Sequence, residues 1–309
     1  MNNIEPMAIF SPQTRVAVIR GGQSTGYETS LKTGGHILST LREMPESYDP
    51  IDIFISQDGE WHYGGLVQEP HELLRHADVV WNALHGSYGE DGKVQRLLES
   101  LQIPFTGSSS VASALSMDKD MAKRIYRQHS FLVPAHELIT RKNWDDRKLV
   151  AIFRNYLPPV VVKPANGIHS FGVRLAHDFS GLKEIVDETF RYSPRLLVEE
   201  FIKGDDVSCT VIEDAKGERI YALLPSSAAK LKMEENKEIE EIAKRAHAAL
   251  GLRHYSSSDF IITPKRKIYI LETNSLPVLH ENSLVHKSLR ATGWRSRDFV
   301  DHIIKLALV

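Results

Sequence analysis

This 309-residue chain lacks several sequence features that would indicate a particular class of protein. It has one cysteine, Cys209, which excludes both an intramolecular disulfide and a cysteine-based metal cluster. Cys209 lies in a strand-like run, where a small buried residue is expected rather than a nucleophile. Lysine and arginine total 38 against 40 aspartate and glutamate residues, a net charge of −2. This balance gives no electrostatic argument for nucleic acid or an anionic membrane as a partner.

Long apolar runs are also missing. No stretch approaches the roughly 18 apolar residues that a membrane-spanning helix needs. The first segment, "MNNIEPMAIFSPQTR", lacks the basic stretch followed by an apolar stretch that is typical of a signal peptide. Repeats and low-complexity segments are not evident either. We therefore expect a soluble cytoplasmic protein.

The first part of the chain alternates between short apolar strands and amphipathic helices. "TRVAVIRG", "IDIFIS" and "ADVVWNALHG" are strand-like. "DGKVQRLLESLQ" is predicted to be a helix because Val94, Leu97, Leu98 and Leu101 recur at helical spacing. Strands that alternate with helices are typical of an open parallel α/β sheet. We place this domain at residues 1–106.

The rest of the chain is richer in hairpins. "DKDMAKRIYRQH" is predicted to be a helix capped by Asp118. "PVVVKPA" and "VRLAHD" are predicted to form a hairpin with a long tip, "NGIHSFG". A long helix, "ENKEIEEIAKRAHAALG", is expected to stop at Gly251. Two further domains are predicted, a central one at 107–202 and a C-terminal one of α+β character at 203–309.

Three oxygen-bearing side chains are expected to meet at one sheet edge. Asp259 begins the strand "DFIIT", while Glu272 and Asn274 end the partner strand "IYILETN". Antiparallel pairing places the start of one strand beside the end of the other, and residues two apart point to the same side. Hard oxygen ligands on a rigid element suit Mg²⁺. The alternative is a group of solvated polar residues around a hairpin.

A lysine ends an apolar strand in the central part of the chain. Lys163 closes "PVVVKP", where an ammonium group is costly to bury without an anion beside it. A phosphate suits so compact a cation, and the backbone N–H groups of "NGIHSFG" could cover phosphates. The alternative is a lysine that extends its charged end into solvent. Glu199 and Asp206, near the exit of "LLVEEFI", could likewise bind a nucleotide or form a solvated turn.

In their order along the chain, these motifs resemble the ATP-grasp fold and, within it, the D-alanine–D-alanine ligase family. The matching segments are "VAVIRGGQS", "NALHGSYGEDGKVQRLLESLQIPFTGS", "ASALSMDKDMAK", "VVVKPANG", "LVEEFIKG" and "LETNSLP". The resemblance implies an ATP-grasp fold with an N-terminal open parallel α/β domain. It also implies an enzyme of peptidoglycan precursor synthesis that uses ATP and Mg²⁺ or Mn²⁺. In such ligases a carboxylate attacks the γ-phosphate of ATP, and an amine then displaces phosphate from the acyl phosphate.

The same resemblance assigns roles to individual residues. It implies ATP-binding groups at Lys119, Lys163, Glu199, Glu200, Ile202 and Asp206. It implies metal ligands at Asp259, Glu272 and Asn274. It implies amino-acid-binding groups at Glu28, His85, His169 and Ser283, and catalytic roles for Lys163, Ser170 and Ser283. The expected partners are small amino acids, and a homodimer is left open.

The sequence departs from the family pattern at the amino-acid end. Gly26 stands where the family has an acid for the first ammonium group, and Ser257 where it has an arginine. Val278 replaces the glycine after Leu-Pro, the loop that carries a Tyr-Lys pair is cut to "SSAAKLKM", and paired serines become His169 and Ser170. Two hypotheses follow: a ligase for D-alanine or an altered substrate, or an ATP-binding protein that no longer ligates. The retained metal residues favour the ligase.

Overall fold

A computed structural model describes residues 13–167 and 172–309 of the chain. Within these ranges the chain folds into three β-sheets and the helices that cover them. No helix in the described part is long and apolar enough to cross a lipid bilayer.

The N-terminal sheet is mixed. Its elements are β1 (Thr14–Gly21), α1 (Tyr27–Arg42), β2 (Tyr48–Ile55), β3 (Trp61–Tyr63), β4 (Leu66–Val67), α2 (Pro70–Leu74), β5 (Val79–Asn82) and α3 (Lys93–Ser100). The strand order is β4–β3–β2–β1–β5, with β1 parallel to both β2 and β5. The α/β class and the helix over "DGKVQRLLESLQ" are therefore confirmed.

The edge of this sheet differs from the expected parallel arrangement. β3 pairs with β2, and β4 with β3, in the antiparallel sense. The connection from β2 to β3 turns at Gly59, whose φ of +91° is readily adopted by glycine. A connection this short cannot hold the crossover helix that a parallel neighbour requires, so β3 returns antiparallel.

The central sheet is antiparallel. Two helices precede it, α4 (Ser110–Met117) and α5 (Lys119–Gln128), and its own elements are β6 (His136–Thr140), α6 (Asp146–Asn155), β7 (Val160–Pro164), β8 (Arg174–Ala176), α7 (Phe179–Thr189) and β9 (Arg195–Glu200). The strand order is β6–β9–β7–β8, so the predicted hairpin of β7 and β8 is confirmed. One face packs against α6 and α7 through residues such as Leu149, Leu182 and Val186.

The C-terminal part carries the third sheet. Its elements are β10 (Asp205–Ala215), β11 (Glu218–Ala222), β12 (Ser226–Ser227), α8 (Met233–Ala249), β13 (Tyr255–Ile262), β14 (Ile268–Asn274), α9 (Leu284–Ala291) and α10 (Ser296–Ala307). The order is β11–β10–β13–β14, and β12 also pairs with β10. The long helix α8 is confirmed, and Gly251 follows it with a φ of +65°.

Helix α5 packs on the C-terminal sheet although it precedes the central one in sequence. Ala122 and Tyr126 share a core with Phe260 and Ile270 of β13 and β14. The helix begins where predicted, because the Asp118 carboxylate accepts hydrogen bonds from the backbone N–H groups of the first turn. The boundaries proposed at residues 106 and 202 remain predictions.

A second core joins the N-terminal sheet to the end of the chain. Phe299 of α10 is buried between Trp81 of β5 and Tyr255 of β13, with ring centroids 6.5 and 5.6 Å away. Aromatic groups at such distances pack favourably edge to face. This cluster fixes α10 across two of the three sheets.

We expect Phe299→Ala to lower the free energy of unfolding by about 3–5 kcal/mol, because it leaves a cavity at this junction. Urea denaturation followed by tryptophan fluorescence measures the change. Leu308→Ala is the control, since Leu308 is 44% exposed near the same end of the chain, and its effect should stay within about 0.5 kcal/mol. Equal effects of the two substitutions would contradict the assignment.

Candidate active site

A cleft of about 910 Å³ lies between the central and C-terminal sheets. Its walls come from β7, β8 and β9 on one side and from β10, β12, β13 and β14 on the other. All of the predicted ATP-binding residues line it, namely Lys119, Lys163, Glu199, Glu200, Ile202 and Asp206. Asp259 and Glu272 line it as well. The volume lies within the range of small-molecule sites, about 300–1,000 Å³.

The three predicted oxygen ligands lie close together, two of them, Asp259 and Glu272, in the lining of this cleft and Asn274 in that of a small adjoining cavity. Asp259 of β13 stands opposite Glu272 of β14 in the strand register, and a β-bulge follows Asp259. Asn274 Nδ2 donates a hydrogen bond of 3.3 Å to Asp259 Oδ2. The alternative of separately solvated polar residues does not fit, because these side chains are partly buried and adjacent.

The two carboxylates of this group differ in their electrostatic surroundings. Burial, followed by repulsion from Glu272, raises the pKa of Asp259 to about 7. Burial alone would raise the pKa of Glu272 too, but Lys119 and Lys163 outweigh burial and lower it. Glu272 is therefore held as an anion, whereas Asp259 would lose its proton more readily if a cation were bound beside it.

Two lysines line the cleft. Lys119 Nζ lies 3.0 Å from Glu272 Oε2 and donates a 2.6 Å hydrogen bond to the carbonyl oxygen of Gly167. Lys163 Nζ lies 2.9 Å from Glu199 Oε2. Both lysines are more than 90% buried, which is not the solvent-extended arrangement considered for Lys163. Each ammonium group thus lies beside a carboxylate that offsets part of its desolvation.

Glu199 is a buried acid and not part of a solvated turn. It is 2% exposed. Burial would raise the pKa of its carboxyl group, but Lys123 and Lys163 outweigh burial and lower it. Glu200 differs, since its carboxylate accepts a 2.8 Å hydrogen bond from the backbone N–H of Ala135. Asp206 is exposed at the cleft rim.

Lys123 is a member of this group that the sequence motifs did not reveal. It lies on α5 one turn after Lys119, is fully buried, and places Nζ 3.4 Å from Glu199 Oε1. Burial lowers the pKa of Lys123 to about 8, against the opposing attraction of Glu199. The sequence feature that could have indicated Lys123 is its spacing of four residues from Lys119, because residues four apart on a helix lie on the same face.

Three of the predicted amino-acid-binding residues, His85, Ser283 and Glu28, lie in the described part of the chain. His85 is buried, with Nε2 3.0 Å from Thr33 Oγ1 and Nδ1 3.4 Å from Glu90 Oε1. Ser283 caps α9, because its hydroxyl oxygen accepts a 3.2 Å hydrogen bond from the N–H of His286. Glu28 is exposed on the first turn of α1.

Comparison with known proteins identifies the chain. The family model described as "D-ala D-ala ligase C-terminus" matches residues 125–225 and 225–305, and the one described as "D-ala D-ala ligase N-terminus" matches residues 65–108. A D-alanine–D-alanine ligase of Geotalea uraniireducens is 33% identical, over 95% of this chain and 95% of that protein. The chain belongs to the D-alanine–D-alanine ligase family. It is an ATP-dependent enzyme of that family.

Two solved structures support the same assignment. The D-alanine–D-alanine ligase of Bacillus anthracis, solved in complex with ATP, has a TM-score of 0.80 and 27% identity over 96% of this chain and 97% of that one. The VanG D-Ala:D-Ser ligase of Enterococcus faecalis has a TM-score of 0.84 and 25% identity over 96% and 100%. The ATP-grasp fold inferred from the motifs is confirmed.

Gly26, where the resemblance led us to expect an acid, packs closely against His85. A Cβ atom at position 26 would lie 2.8 Å from both Cβ and the carbonyl oxygen of His85. Ser24 reinforces this contact, since its hydroxyl donates to the carbonyl oxygen of His85 and accepts from the N–H of Gly26. The turn after β1 therefore packs against His85 too closely for a larger residue at position 26.

Ser257, where the resemblance led us to expect an arginine, lies in a row of hydroxyl groups. Ser257 is 4% exposed, and its Oγ lies 3.0 Å from Ser208 Oγ and 3.2 Å from Thr210 Oγ1. A hydrogen bond from Ser208 in turn favours the ionised form of Asp259. Position 257 is thereby linked through Ser208 to the acid cluster.

Two of the predicted site residues lie outside the described part of the chain. These are His169 and Ser170, which belong to the segment "NGIHSFG" that was expected to cover phosphates. Their roles stay predictions, as do those of Glu28, His85 and Ser283.

The close contact at Gly26 can be tested with a matched pair of glycines on one element. Gly26→Ala should lower the free energy of unfolding by about 1–3 kcal/mol, because its Cβ has no space. Gly35→Ala, inside α1 with open space around its Cβ, should instead raise it by about 0.5–1 kcal/mol. Urea denaturation of both variants measures whether each substitution lowers or raises the free energy of unfolding. A neutral or stabilising Gly26→Ala would show that the turn is not packed as described.

Proposed function

We propose that this enzyme joins the carboxylate of one amino acid to the amine of a second, with D-alanine as the substrate class. The observation that carries the proposal is the convergence of Lys119, Lys163, Asp259 and Glu272 on one cleft of nucleotide size. The products are a dipeptide, ADP and phosphate. The first carboxylate attacks the γ-phosphate of ATP, ADP leaves, and the second amine displaces phosphate from the acyl phosphate.

In this reaction the chain's own residues supply positive charge and orientation. Lys119 begins helix α5 and Lys163 lies on strand β7, so the two lysines can contact different phosphate oxygens. Their charge offsets the negative charge of the nucleotide where water is largely excluded, and such fixed groups need no rearrangement during the reaction. Glu272 and Glu199 hold the two ammonium groups in place through their ion pairs.

The oxygen cluster fits a divalent cation. Two carboxylates face one another across β13 and β14, and the raised pKa of Asp259 reflects their mutual repulsion as well as burial. A hard cation would relieve that repulsion and would find two carboxylates and the Asn274 amide as ligands. The amide would have to turn its oxygen toward the ion. When bound, Mg²⁺ or Mn²⁺ would neutralise charge on the phosphates.

Asp259→Asn keeps the size of the side chain and removes one charge, so it tests the metal assignment. We expect the Mg²⁺-dependent part of the thermal shift caused by ATP to fall, corresponding to at least about tenfold weaker binding. The same assay in EDTA measures the part that is independent of Mg²⁺. Asp205→Asn is the control because Asp205 is an exposed acid of the same cleft. If both variants keep the Mg²⁺-dependent shift, the metal site lies elsewhere.

Phosphate release from ATP tests the proposed reaction itself. The purified enzyme is given D-alanine, other D- and L-amino acids, hydroxy acids or short peptides, and products are identified by mass spectrometry. Release that depends on D-alanine and yields the dipeptide supports the proposal. ATP binding without release for any member of the panel would show that ligation has been lost.

A second candidate is a ligase with an altered substrate, favoured by the packing of Gly26 against His85. An acid cannot be placed at position 26 without moving His85, so the ammonium-binding group expected there is missing. The relative from Enterococcus faecalis is a D-Ala:D-Ser ligase, which shows that the fold accommodates another second amino acid. The substrate that gives the highest kcat/KM in the panel decides between the two candidates.

A further inference from the structure

Three buried charged groups form a row that runs from the wall of the cleft into the protein interior. The Glu199 carboxylate lies between two ammonium groups, with Oε2 2.9 Å from Lys163 Nζ and Oε1 3.4 Å from Lys123 Nζ. Lys163 lines the cleft, whereas Lys123 is fully buried behind the acid. Glu199 therefore divides its negative charge between a lysine that faces the cleft and one that does not.

Lys123 reaches this row from a different layer of the molecule. Helix α5 packs on the C-terminal sheet through Ala122 and Tyr126, while Glu199 and Lys163 belong to the central sheet. A second contact also joins α5 to the central sheet, since Asp120 Oδ1 of α5 lies 3.3 Å from His136 Nε2 of β6. Lys123 thus carries one positive charge across the boundary between the sheets that form the cleft.

The number of charges determines what Lys163 presents to the cleft. Two lysines and one glutamate leave one net positive charge in the row. Without Lys123, one carboxylate would face one ammonium group, and the row would be neutral. Since the exposed end of the row is Lys163, the extra charge is felt in the cleft.

We propose that Lys123 is a positioning residue for nucleotide binding, which engages the Glu199 carboxylate so that Lys163 keeps net positive charge toward the phosphates. The inference rests on the proposed function only in taking Lys163 to face the phosphates of ATP. It concerns binding and not ligation, so nucleotide affinity tests it without a turnover assay.

Lys123→Met removes the charge and keeps an unbranched side chain. Isothermal titration calorimetry should show that the Kd of ATP rises about tenfold, as expected for the loss of a unit charge near the phosphates. The Kd of adenosine, which has no phosphate, should change less than about twofold. Lys244→Met is the control, because Lys244 also pairs with a glutamate, Glu218, but lies away from the cleft.

A double variant separates charge from packing. Lys123→Met with Glu199→Gln restores one net positive charge, so the ratio of the adenosine Kd to the ATP Kd should return to within about threefold of its value in the original enzyme, even where both affinities fall through the loss of the Glu199 carboxylate. A role in packing alone predicts that this ratio does not recover in the double variant. Melting temperatures, measured in parallel, show whether each variant is folded.

The unmodified enzyme offers a readout that needs no variant. The pKa of Lys123 is lowered to about 8 by burial, so its charge should be lost between pH 7 and 9. The charged groups that face it are Glu199 of β9, Lys163 of β7, His136 of β6 and Glu272 of β14. ATP affinity should fall across this range while adenosine affinity stays constant, and Lys123→Met should abolish the dependence.

An unchanged Kd for ATP in Lys123→Met, or an equal loss of affinity for ATP and for adenosine, would overturn the inference. So would an ATP affinity of the unmodified enzyme that does not change between pH 7 and 9. If the unmodified enzyme binds no ATP at all, the proposed function fails at an earlier and separate step.

Discussion

The cost of burying charge at the boundary between two sheets shapes the cleft that we propose to bind the nucleotide. A cleft that excludes water makes its lysines attractive to phosphate, but the same exclusion makes an unpaired ammonium group expensive before the nucleotide arrives. The chain meets both demands by pairing each lysine with an acid, Lys119 with Glu272 and Lys163 with Glu199. Because the partners come from different elements, the first pair joins α5 to β14 and the second joins β7 to β9 within the central sheet.

Helix α5 is central to this arrangement because it supplies two lysines one turn apart. Its apolar face is fixed in the core of the C-terminal sheet, and its capping residue Asp118 is ion-paired with Arg195, which starts β9 of the central sheet. A movement of the central sheet relative to α5 would separate several charged pairs at once. The geometry of the cleft is therefore maintained by contacts that cross it at its closed end.

Much of this fold could be predicted from the sequence because its helices have clear apolar periodicity and end at identifiable residues. The motif order pointed correctly to the ATP-grasp fold, and strand pairing placed Asp259 opposite Glu272. The edge hairpin of the first sheet was missed because β3 and β4 have only three and two residues. Lys123 was missed because a lysine on an amphipathic helix is usually solvated, and only the tertiary structure shows that the central sheet covers it.

Position 26 shows a second limit of sequence reasoning. The sequence motif around position 26 indicated that an acid was missing there. The structure shows a reason for the glycine, because a Cβ atom at this position would lie 2.8 Å from His85. That contact joins two loops that are distant in sequence, so no local pattern could reveal it. A missing functional group and a packing constraint produce the same glycine in the sequence, and only the structure separates them.

The two halves of the site are connected at Glu272 and Lys119. Both residues line the large cleft, and both also line a small adjoining cavity with Glu90 and Asn274. Gly26 contacts His85, whose Nδ1 lies 3.4 Å from Glu90 Oε1. Ser257 stands opposite Asn274 in the strand register and is linked to Asp259 through Ser208. Positions 26 and 257 therefore both connect with the acids around the cleft, so a substitution at either one can also affect the charged pairs.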